Sequence, residues 1–259
     1  MSSGLLADKR GLVLGAGARD SVGFRAAEEL RAQGADVSVS LRRATSAFGA
    51  ELRERGYAPV ELDAFDEGSV ERAVGEVGRG FGRLDFLVHT LVHVPEGALE
   101  RPITSLGARE LGDAMEVGVR SLLLAVRHAR PWLERSSSPR IVTLLSGGAD
   151  FAMPNYHLIG LVKAALASAV RYLAAELGPA GILCNAVNFS ILDTDAARRV
   201  IGAERTAQTL QHLAKRAMTK TALDYADVTR AIVFLSSPLC SNLTGEALLV
   251  DGGFSKSYF

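Results

Sequence analysis

A tyrosine and a lysine, Tyr156 and Lys163, have the residue types and the spacing that most directly indicate chemistry in this sequence. They lie seven positions apart in an apolar helical pattern, which is about two turns, so both side chains lie on one face of the helix. A lysine ammonium beside a phenol favours the phenolate and lowers the pKa of the tyrosine. Such a phenol can donate a proton near neutral pH. Two unrelated surface residues would give the same spacing, so the pair needs support from other parts of the chain.

A glycine-rich run from Gly15 to Gly23 follows the first predicted strand. Gly15 and Gly17 let the backbone turn sharply and approach a pyrophosphate, while the next helix presents its free N–H groups to that anion. Ser21 lies near the end of the run, where it can cap the helix and contact phosphate. The run is longer than the common G-x-G-x-x-G spacing, but its place between a strand and a helix predicts nucleotide binding.

Two arginines, Arg42 and Arg43, follow the second predicted strand, where dinucleotide-binding proteins contact the adenine ribose. An acidic residue there binds the ribose hydroxyls and repels a 2′-phosphate, whereas two guanidinium groups suit that phosphate. The sequence therefore favours NADPH as the cofactor, with NADH as the alternative and a solvated pair of arginines as the non-functional explanation. Asp63, after the third strand, is the candidate for contacting the adenine amino group.

The elements that must position these residues alternate between short apolar strands and longer helices, which predicts parallel β-α-β units. We expect an α/β fold, a single doubly wound Rossmann-type domain with a seven-stranded parallel sheet. This domain spans residues 1–259 and binds NAD(P).

The segment 189–211 differs in composition and is predicted to form a helical flap over the substrate. Ser69 marks the start of one predicted helix, and a long helix from Ser105 should bend or end at Pro131. The predicted strands are 12–14, 37–41, 60–62, 86–88, 140–145, 182–187 and 247–250, and the other predicted helices include 22–33 and 156–177.

Composition excludes several classes of function. The 259 residues carry 29 basic and 29 acidic side chains, so nothing in the net charge predicts a nucleic-acid or anionic-membrane partner. Two cysteines cannot form a disulfide framework or a zinc cluster, and His89 and His93 fall on a strand end and a loop, so no metal site is expected. The first residues lack the features of a secretion signal, and apolar runs such as 122–126 are far shorter than the roughly 20 residues of a membrane helix. We therefore expect a cytoplasmic protein.

Several motifs together resemble the short-chain dehydrogenase/reductase superfamily, and within it the bacterial enoyl-acyl-carrier-protein reductases. The superfamily's common Tyr-x-x-x-Lys pair is absent because residue 160 is Gly, but the enoyl reductase branch places six residues between its tyrosine and lysine, as this chain does. The resemblance extends over nearly the whole chain. It also includes the glycine-rich run and the motifs Pro154-Asn155, Phe86-Leu87-Val88-His89, Gly178-Pro179, Asn185-Ala186 and Val250-Asp251-Gly252-Gly253-Phe254-Ser255.

The resemblance implies hydride transfer from a nicotinamide cofactor to an activated double bond. Tyr156 would stabilise the enolate oxygen or deliver its proton, and Lys163 would hold the nicotinamide ribose. The other residues implied to contact the cofactor are Gly15, Gly17, Ser21, Val22, Asp63, His89 and Thr194. The substrate would be a small molecule or a carrier thioester, and the protein would be a homo-oligomer, with a tetramer implied and the tail near Phe254 contributing to an interface.

Three departures from the family pattern concern the substrate end. Ser146 stands ten residues before Tyr156, where the family commonly has a second aromatic residue, and it resembles the serine that polarises a carbonyl in ketoreductases of the superfamily. Ser190 and Ile191 replace a glycine–proline turn, and Val92 replaces a glycine. These changes predict a divergent reductase of an enoyl-thioester-like or specialised-metabolite intermediate, with Ser146 as a third catalytic residue. Reduction of a ketone by Ser146 and Tyr156, or a redox-silent nucleotide-bound protein, are the alternatives.

Overall fold

The computed structural model describes residues 4–257, so residues 1–3 and 258–259 of the predicted domain lie outside the described part. One sheet organises the chain, with strand order β3-β2-β1-β4-β5-β6-β7 and every neighbouring pair parallel. This confirms the predicted α/β fold with a seven-stranded parallel sheet. Its strands are Arg10–Leu14 (β1), Asp36–Leu41 (β2), Ala58–Glu61 (β3), Phe86–His89 (β4), Arg140–Ser146 (β5), Leu183–Phe189 (β6) and Ala247–Val250 (β7).

Helices cover both faces of the sheet, which explains why the strands are largely apolar. One face packs against α3, α4, α5 and α6, and the other against α1, α2 and α9, so that each face has its own buried cluster. The helices are Val22–Ala32 (α1), Ala47–Glu54 (α2), Glu67–Phe81 (α3), Ala108–Met115 (α4), Ser121–Leu133 (α5), His157–Leu177 (α6), Asp195–Ile201 (α7), Ala203–Arg216 (α8) and Tyr225–Ser236 (α9).

The prediction of one long helix from Ser105 to Arg130 is wrong, because this segment is not continuous. A short 3-10 turn ends at Ser105, α4 begins after Gly107, and a π-helical turn, Glu116–Arg120, separates α4 from α5. Pro131 lies in the last turn of α5, where its missing N–H removes only one helical hydrogen bond, so the helix continues to Leu133.

The π-helical turn brings the chain unusually close to α6. A Cβ on Gly118 would lie 2.3 Å from Cγ1 of Val162, so only glycine permits this approach. Val162 immediately precedes Lys163, and the turn therefore lies beside the helical segment that carries the lysine. Helical turns of this type are often found at functional sites.

Two other boundaries differ from the sequence predictions. Ser69 lies inside α3 rather than at its start, because the Asp66 carboxylate accepts the N–H of Gly68 and caps the helix. Ser69 instead accepts the N–H of Asp63 at 3.0 Å. In the predicted flap, residue 189 still belongs to β6, and the helical part consists of α7 and α8, from Asp195 to Arg216.

Within the described residues, the segment His157–Ala180 is long and apolar enough to cross a membrane when judged by length and composition alone. It consists of α6 and the short turn that follows. Leu158, Val162 and Leu166 of this helix are buried in the cluster on one face of the sheet, which accounts for its apolar composition.

Candidate active site

A cleft of about 610 Å³ opens at the carboxyl ends of the strands, beside the point where the sheet changes winding direction between β1 and β4. Ligands of open parallel sheets bind at this kind of position. Most of the residues predicted from the sequence line it together. They are Gly15, Gly17, Ser21, Val22, Arg42, Asp63, Ser146, Tyr156, Lys163 and Thr194.

Tyr156 immediately precedes α6 and directs its hydroxyl toward the end of β5. The Tyr156 Oη donates a hydrogen bond to Ser146 Oγ at 3.0 Å. The tyrosine ring lies directly against the backbone of Gly148, where a Cβ would come within 2.5 Å of Cδ1 of the ring. The glycine therefore lets the ring approach the turn after β5, and the phenol and the serine hydroxyl form a pair in the cleft.

Lys163 lies in the second turn of α6 with its side chain buried, and only 8% of the residue is exposed. Its Nζ donates to the carbonyl oxygen of Leu144 at 2.8 Å. Burial disfavours the charged amine and lowers the pKa of Lys163 to about 8. A lysine held in this way at the wall of a cleft is typical of a functional residue.

The pKa of Tyr156 is raised rather than lowered, because burial of the phenol outweighs its hydrogen bond with Ser146. The expectation that Lys163 lowers this pKa is therefore wrong for the protein without a ligand. The lysine amine is bound to a backbone carbonyl, and the hydroxyl partner of Tyr156 is Ser146. A phenol with a raised pKa keeps its proton at neutral pH.

The glycine-rich turn has the geometry of an anion cradle. Gly15 has a φ of 96°, which favours glycine, and its N–H donates to Ser40 Oγ at 3.1 Å. Ser21 caps α1 by accepting the N–H of Phe24 at 3.2 Å. Within residues 4–257 no acceptor binds the backbone N–H groups of Val22 and Gly23, so they face the cleft region free. Free N–H groups at a helix start fit the pyrophosphate of a dinucleotide.

The two arginines after β2 have different positions. Arg42 lines the cleft, whereas Arg43 lies outside its wall, although both were predicted to bind a 2′-phosphate. Neither arginine forms an ion pair with another residue of the described chain. Asp63 also lines the cleft, and its Oδ1 accepts the N–H of Phe65 at 3.0 Å, which fixes the orientation of the carboxylate.

Comparison with known proteins agrees with this arrangement. The family model described as enoyl-(acyl carrier protein) reductase matches residues 15–255. The chain belongs to this family. It is 31% identical over 255 residues to the enoyl-acyl-carrier-protein reductase (NADH) of Synechocystis, with 96% of this chain and 97% of the relative covered. The corresponding Haemophilus influenzae enzyme is 30% identical, with 97% and 96% covered.

Solved structures of the family have the same fold over the whole chain. The Anaplasma phagocytophilum reductase, solved in complex with NAD, gives a TM-score of 0.91 at 25% identity and covers 100% of this chain and 98% of its own. The Aquifex aeolicus enzyme gives 0.90 at 28% identity, with 99% and 100% covered. The predicted family membership is confirmed, and with it the prediction of an oxidoreductase from the enoyl reductase branch.

His89 is the cofactor-binding prediction that the structure contradicts most clearly. Its ring is 1% exposed and lies behind the wall of the cleft. Nε2 lies 2.8 Å from Ser121 Oγ and Nδ1 lies 3.2 Å from Thr143 Oγ1. Since Ser121 donates its hydroxyl proton to the Val117 carbonyl at 2.6 Å, Nε2 must donate to Ser121. His89 of β4 thus connects Thr143 of β5 to Ser121 at the start of α5, and Ser121 in turn bonds the π-helical turn.

Burial lowers the pKa of His89 to about 3, and the nearby charge of Lys163 adds to that effect. The ring is therefore neutral at physiological pH. The next residue, Thr90, is the one that reaches the cleft, and its hydroxyl donates to the Leu14 carbonyl at 2.7 Å. His89 is the last residue of β4 and is buried among neighbouring elements, whereas Thr90 begins the loop at the carboxyl ends of the strands, where the cleft opens.

Four polar or structurally notable residues are among those of the cleft wall that the sequence analysis did not single out. Val117 comes from the π-helical turn, Thr90 from the loop after β4, and Arg199 from the flap. Asp20 is the fourth, and it is a carboxylate inside the glycine-rich turn. A negative charge in a predicted phosphate cradle is the signal that could have identified Asp20 from the sequence.

The three departures from the family pattern all line this one cleft. Val92 is 44% exposed at the wall, and Ser190 and Ile191 follow β6 beside the flap. Ser146 has replaced the aromatic side chain and bonds Tyr156. The changes therefore alter the cavity around the reacting groups together.

Replacement of Lys163 by Met should stabilise the protein at pH 7 by about 2 kcal/mol. Removing the buried charge recovers up to about 3 kcal/mol, and the lost bond to Leu144 costs about 1 kcal/mol. The folded-state pKa of about 8 lies below the ordinary value of 10.5, so the destabilisation is complete below pH 8 and disappears as the pH rises to 10.5. Urea unfolding of both proteins at pH 7 and pH 10 measures this, and a stability difference that is the same at both pH values would contradict the assignment.

Proposed function

We propose that this protein is an NAD(P)H-dependent reductase of an activated C=C bond conjugated to a carbonyl group. The observation that carries the proposal is the Tyr156–Ser146 hydroxyl pair, which shares one cleft with the buried Lys163 and the glycine-rich turn. Relatives of similar length and fold are enoyl-acyl-carrier-protein reductases (NADH), which supports the reaction class.

The cleft residues fit a nicotinamide dinucleotide, which supplies a hydride to the substrate when bound. The free N–H groups of Val22 and Gly23, together with Gly15, Gly17 and Ser21, would hold the pyrophosphate. Lys163 would hold the nicotinamide ribose, Thr194 would contact the nicotinamide and Asp63 would contact the adenine. We propose residues 1–259 as one NAD(P)-binding domain, with the flap covering the substrate.

Tyr156 holds the proton that the reduced substrate needs. Its raised pKa keeps the hydroxyl protonated at neutral pH, so it can donate to an enolate oxygen. Ser146 Oγ lies 3.0 Å from the phenol oxygen. Its hydroxyl supplies a second hydrogen-bond donor to the enolate oxygen of the substrate. Two donors directed at one oxygen stabilise the charge that develops there.

The substrate that we propose differs from the common fatty enoyl thioester. Ser146 stands where the family pattern has an aromatic side chain, so the cleft lacks that ring. Val92 stands at the position of a glycine and Ile191 in the place of a glycine–proline turn, and both add side-chain volume. A specialised-metabolite intermediate with a conjugated alkene fits these changes, whereas the carrier thioesters named for the relatives are the alternative substrate class.

Reduction of a ketone is the second candidate function. It is favoured by the same Ser146 hydroxyl, because a serine paired with a tyrosine polarises a carbonyl directly. A redox-silent role has less support, because Tyr156 and Lys163 are both present and both line the cleft.

We also propose a cytoplasmic homo-oligomer, with a tetramer as the expected size and no nucleic-acid or membrane partner. Exposed apolar side chains on the outer faces of α5 and α6 support an assembly. They are Leu123, Leu161 and Tyr172, exposed by 43%, 42% and 76%. Burial of such side chains against another copy is favourable.

Steady-state oxidation of NADPH, with products identified by mass, tests the substrate class. We expect a conjugated enone without a thioester to be reduced at its C=C bond with a kcat/KM about 100-fold above that of crotonyl thioester. Turnover of the thioester at the rates usual for enoyl reductases would disprove the divergent substrate. Reduction of a saturated ketone to its alcohol, with the C=C bond of the enone left unreduced, would favour the second candidate.

Replacement of Tyr156 by Phe should lower kcat about 10²- to 10⁴-fold, because the proton donor is lost. Ser146→Ala should lower kcat about 10²-fold and leave dinucleotide binding unchanged, because one donor to the oxyanion is lost. Rapid-mixing kinetics with one and the same enone substrate measures the rate of reduction by both variants. An unchanged kcat for Tyr156→Phe would exclude this residue as the donor.

The cofactor preference is a separate proposal, in which Arg42 binds the 2′-phosphate of NADPH. Arg42→Ala should weaken NADPH binding about 10-fold or more and leave NADH binding nearly unchanged. Arg43→Ala is the matched control, since this neighbouring arginine lies outside the cleft wall. Fluorescence titration gives all the dissociation constants. Equal losses for NADPH and NADH with Arg42→Ala would contradict the NADPH preference and favour the NADH named for the relatives.

A further inference from the structure

The carboxylate of Asp20 joins the glycine-rich turn to the flap. Its Oδ2 accepts the backbone N–H of Asp195 at 2.6 Å and the Arg198 guanidinium at 2.8 Å. Asp195 and Arg198 both belong to α7, the first helix of the flap. One carboxylate of the glycine-rich turn therefore holds the first turn of a flap helix at two points, Asp195 and Arg198, through charge-assisted bonds, which are the strong type.

A tyrosine from a third element completes this contact. The Tyr225 hydroxyl, at the start of α9, lies 2.6 Å from the Asp20 carbonyl and 3.1 Å from the Asp193 carbonyl. The guanidinium of Arg198 also binds the Asp193 carboxylate at 2.6 Å. We call Asp20, Asp193, Arg198 and Tyr225 the clasp. It connects the turn after β1, the flap and α9 at one point.

The clasp is placed to control both halves of the cleft. Ser21, the neighbour of Asp20, caps the helix whose free N–H groups face the pyrophosphate position. Thr194 lies between Asp193 and Asp195, caps α7 by accepting the N–H of Ala197 at 2.9 Å, and is only 9% exposed in the cleft wall. Fixing Asp20 against α7 therefore fixes the spacing between the pyrophosphate cradle and Thr194.

Asp20 acts on a dinucleotide in two opposite ways. Its negative charge at the cleft wall repels a pyrophosphate, although Arg198 neutralises much of it and solvent reaches 31% of the Asp20 side chain. Its bonds to α7 hold the flap over the same site, which favours binding by keeping the site assembled. If removing the charge weakens dinucleotide binding, the bonds to α7 matter more. If removing it tightens binding, the repulsion matters more.

We propose that Asp20 is a positioning residue that holds the flap closed on the dinucleotide site through Arg198, the Asp195 N–H and Tyr225. The flap is thus fastened before the dinucleotide binds, and the binding energy is not used to order it. This inference rests on the proposed dinucleotide cofactor for its effect on binding, whereas the fastening of the flap is a property of the protein alone.

Dinucleotide titrations test the effect on the cofactor. Asp20→Asn should raise the dissociation constant and the KM of the dinucleotide about 10-fold, with kcat changed less, because a loosened flap must be ordered on binding. Arg198→Gln should have a similar effect, and the double variant should lose no more than either single variant. Asp36→Asn is the matched control. This exposed aspartate has one arginine partner, Arg10 at 3.8 Å, at the opposite edge of the sheet. Tighter binding by Asp20→Asn would show that charge repulsion dominates and would overturn the proposal.

Limited trypsin digestion without any dinucleotide tests the fastening itself. Arg199 and Arg205 lie in the flap as cleavage sites. Asp20→Asn and Tyr225→Phe should be cut there about 10-fold faster than the wild type and Asp36→Asn, with circular dichroism confirming that each variant is folded. Equal cleavage rates in all four proteins would overturn the clasp. A wild type that binds neither NADH nor NADPH would refute the proposed function, and the digestion would still decide the clasp.

Discussion

The seven strands are parallel, so their carboxyl ends share one edge of the sheet, and the winding reverses at that edge between β1 and β4. Helices close both faces, and only the ends of the strands can leave polar groups in an open cleft. The glycine-rich turn, the arginine after β2, the serine that ends β5 and the segment after β6 are brought together by this constraint. Every functional proposal for the protein depends on that single edge.

Several polar side chains whose burial disfavours folding line the cleft at this edge or lie directly behind it. Lys163 has a buried amine bound to one backbone carbonyl, Tyr156 has a phenol whose pKa is raised by burial, and His89 is neutral between two hydroxyls. Natural proteins keep such groups where function requires them, because burial of a charged or polar side chain disfavours folding unless it is well bonded. The neutral His89 ring also ties the π-helical turn to the sheet, and this turn brings Val117 into the cleft.

The features that distinguish this chain from the family pattern are concentrated in one part of the cleft. Ser146 is the hydrogen-bond partner of the Tyr156 phenol, and Val92, Ser190 and Ile191 line the cleft wall around it. The glycine-rich turn keeps its predicted geometry and lies apart from these positions. The residues that we propose for cofactor binding therefore differ from those that we propose for substrate selection. Asp20 links the two ends, because it belongs to the pyrophosphate turn and bonds the flap.

The fold class, the family, the Tyr156–Lys163 pair and the glycine-rich turn could all be predicted from the amino-acid sequence. These features depend on the spacing of nearby residues and on the order of strands and helices, and both are visible in the amino-acid sequence. Which polar groups are buried, and which of them bond each other, depends on how distant segments pack in the folded chain. That packing placed His89 behind the wall and Arg43 outside it, gave Tyr156 a serine as its partner, and joined Asp20 to Arg198 across 178 positions. Burial and long-range contacts arise from packing of distant segments, and periodicity within one segment carries no information about them.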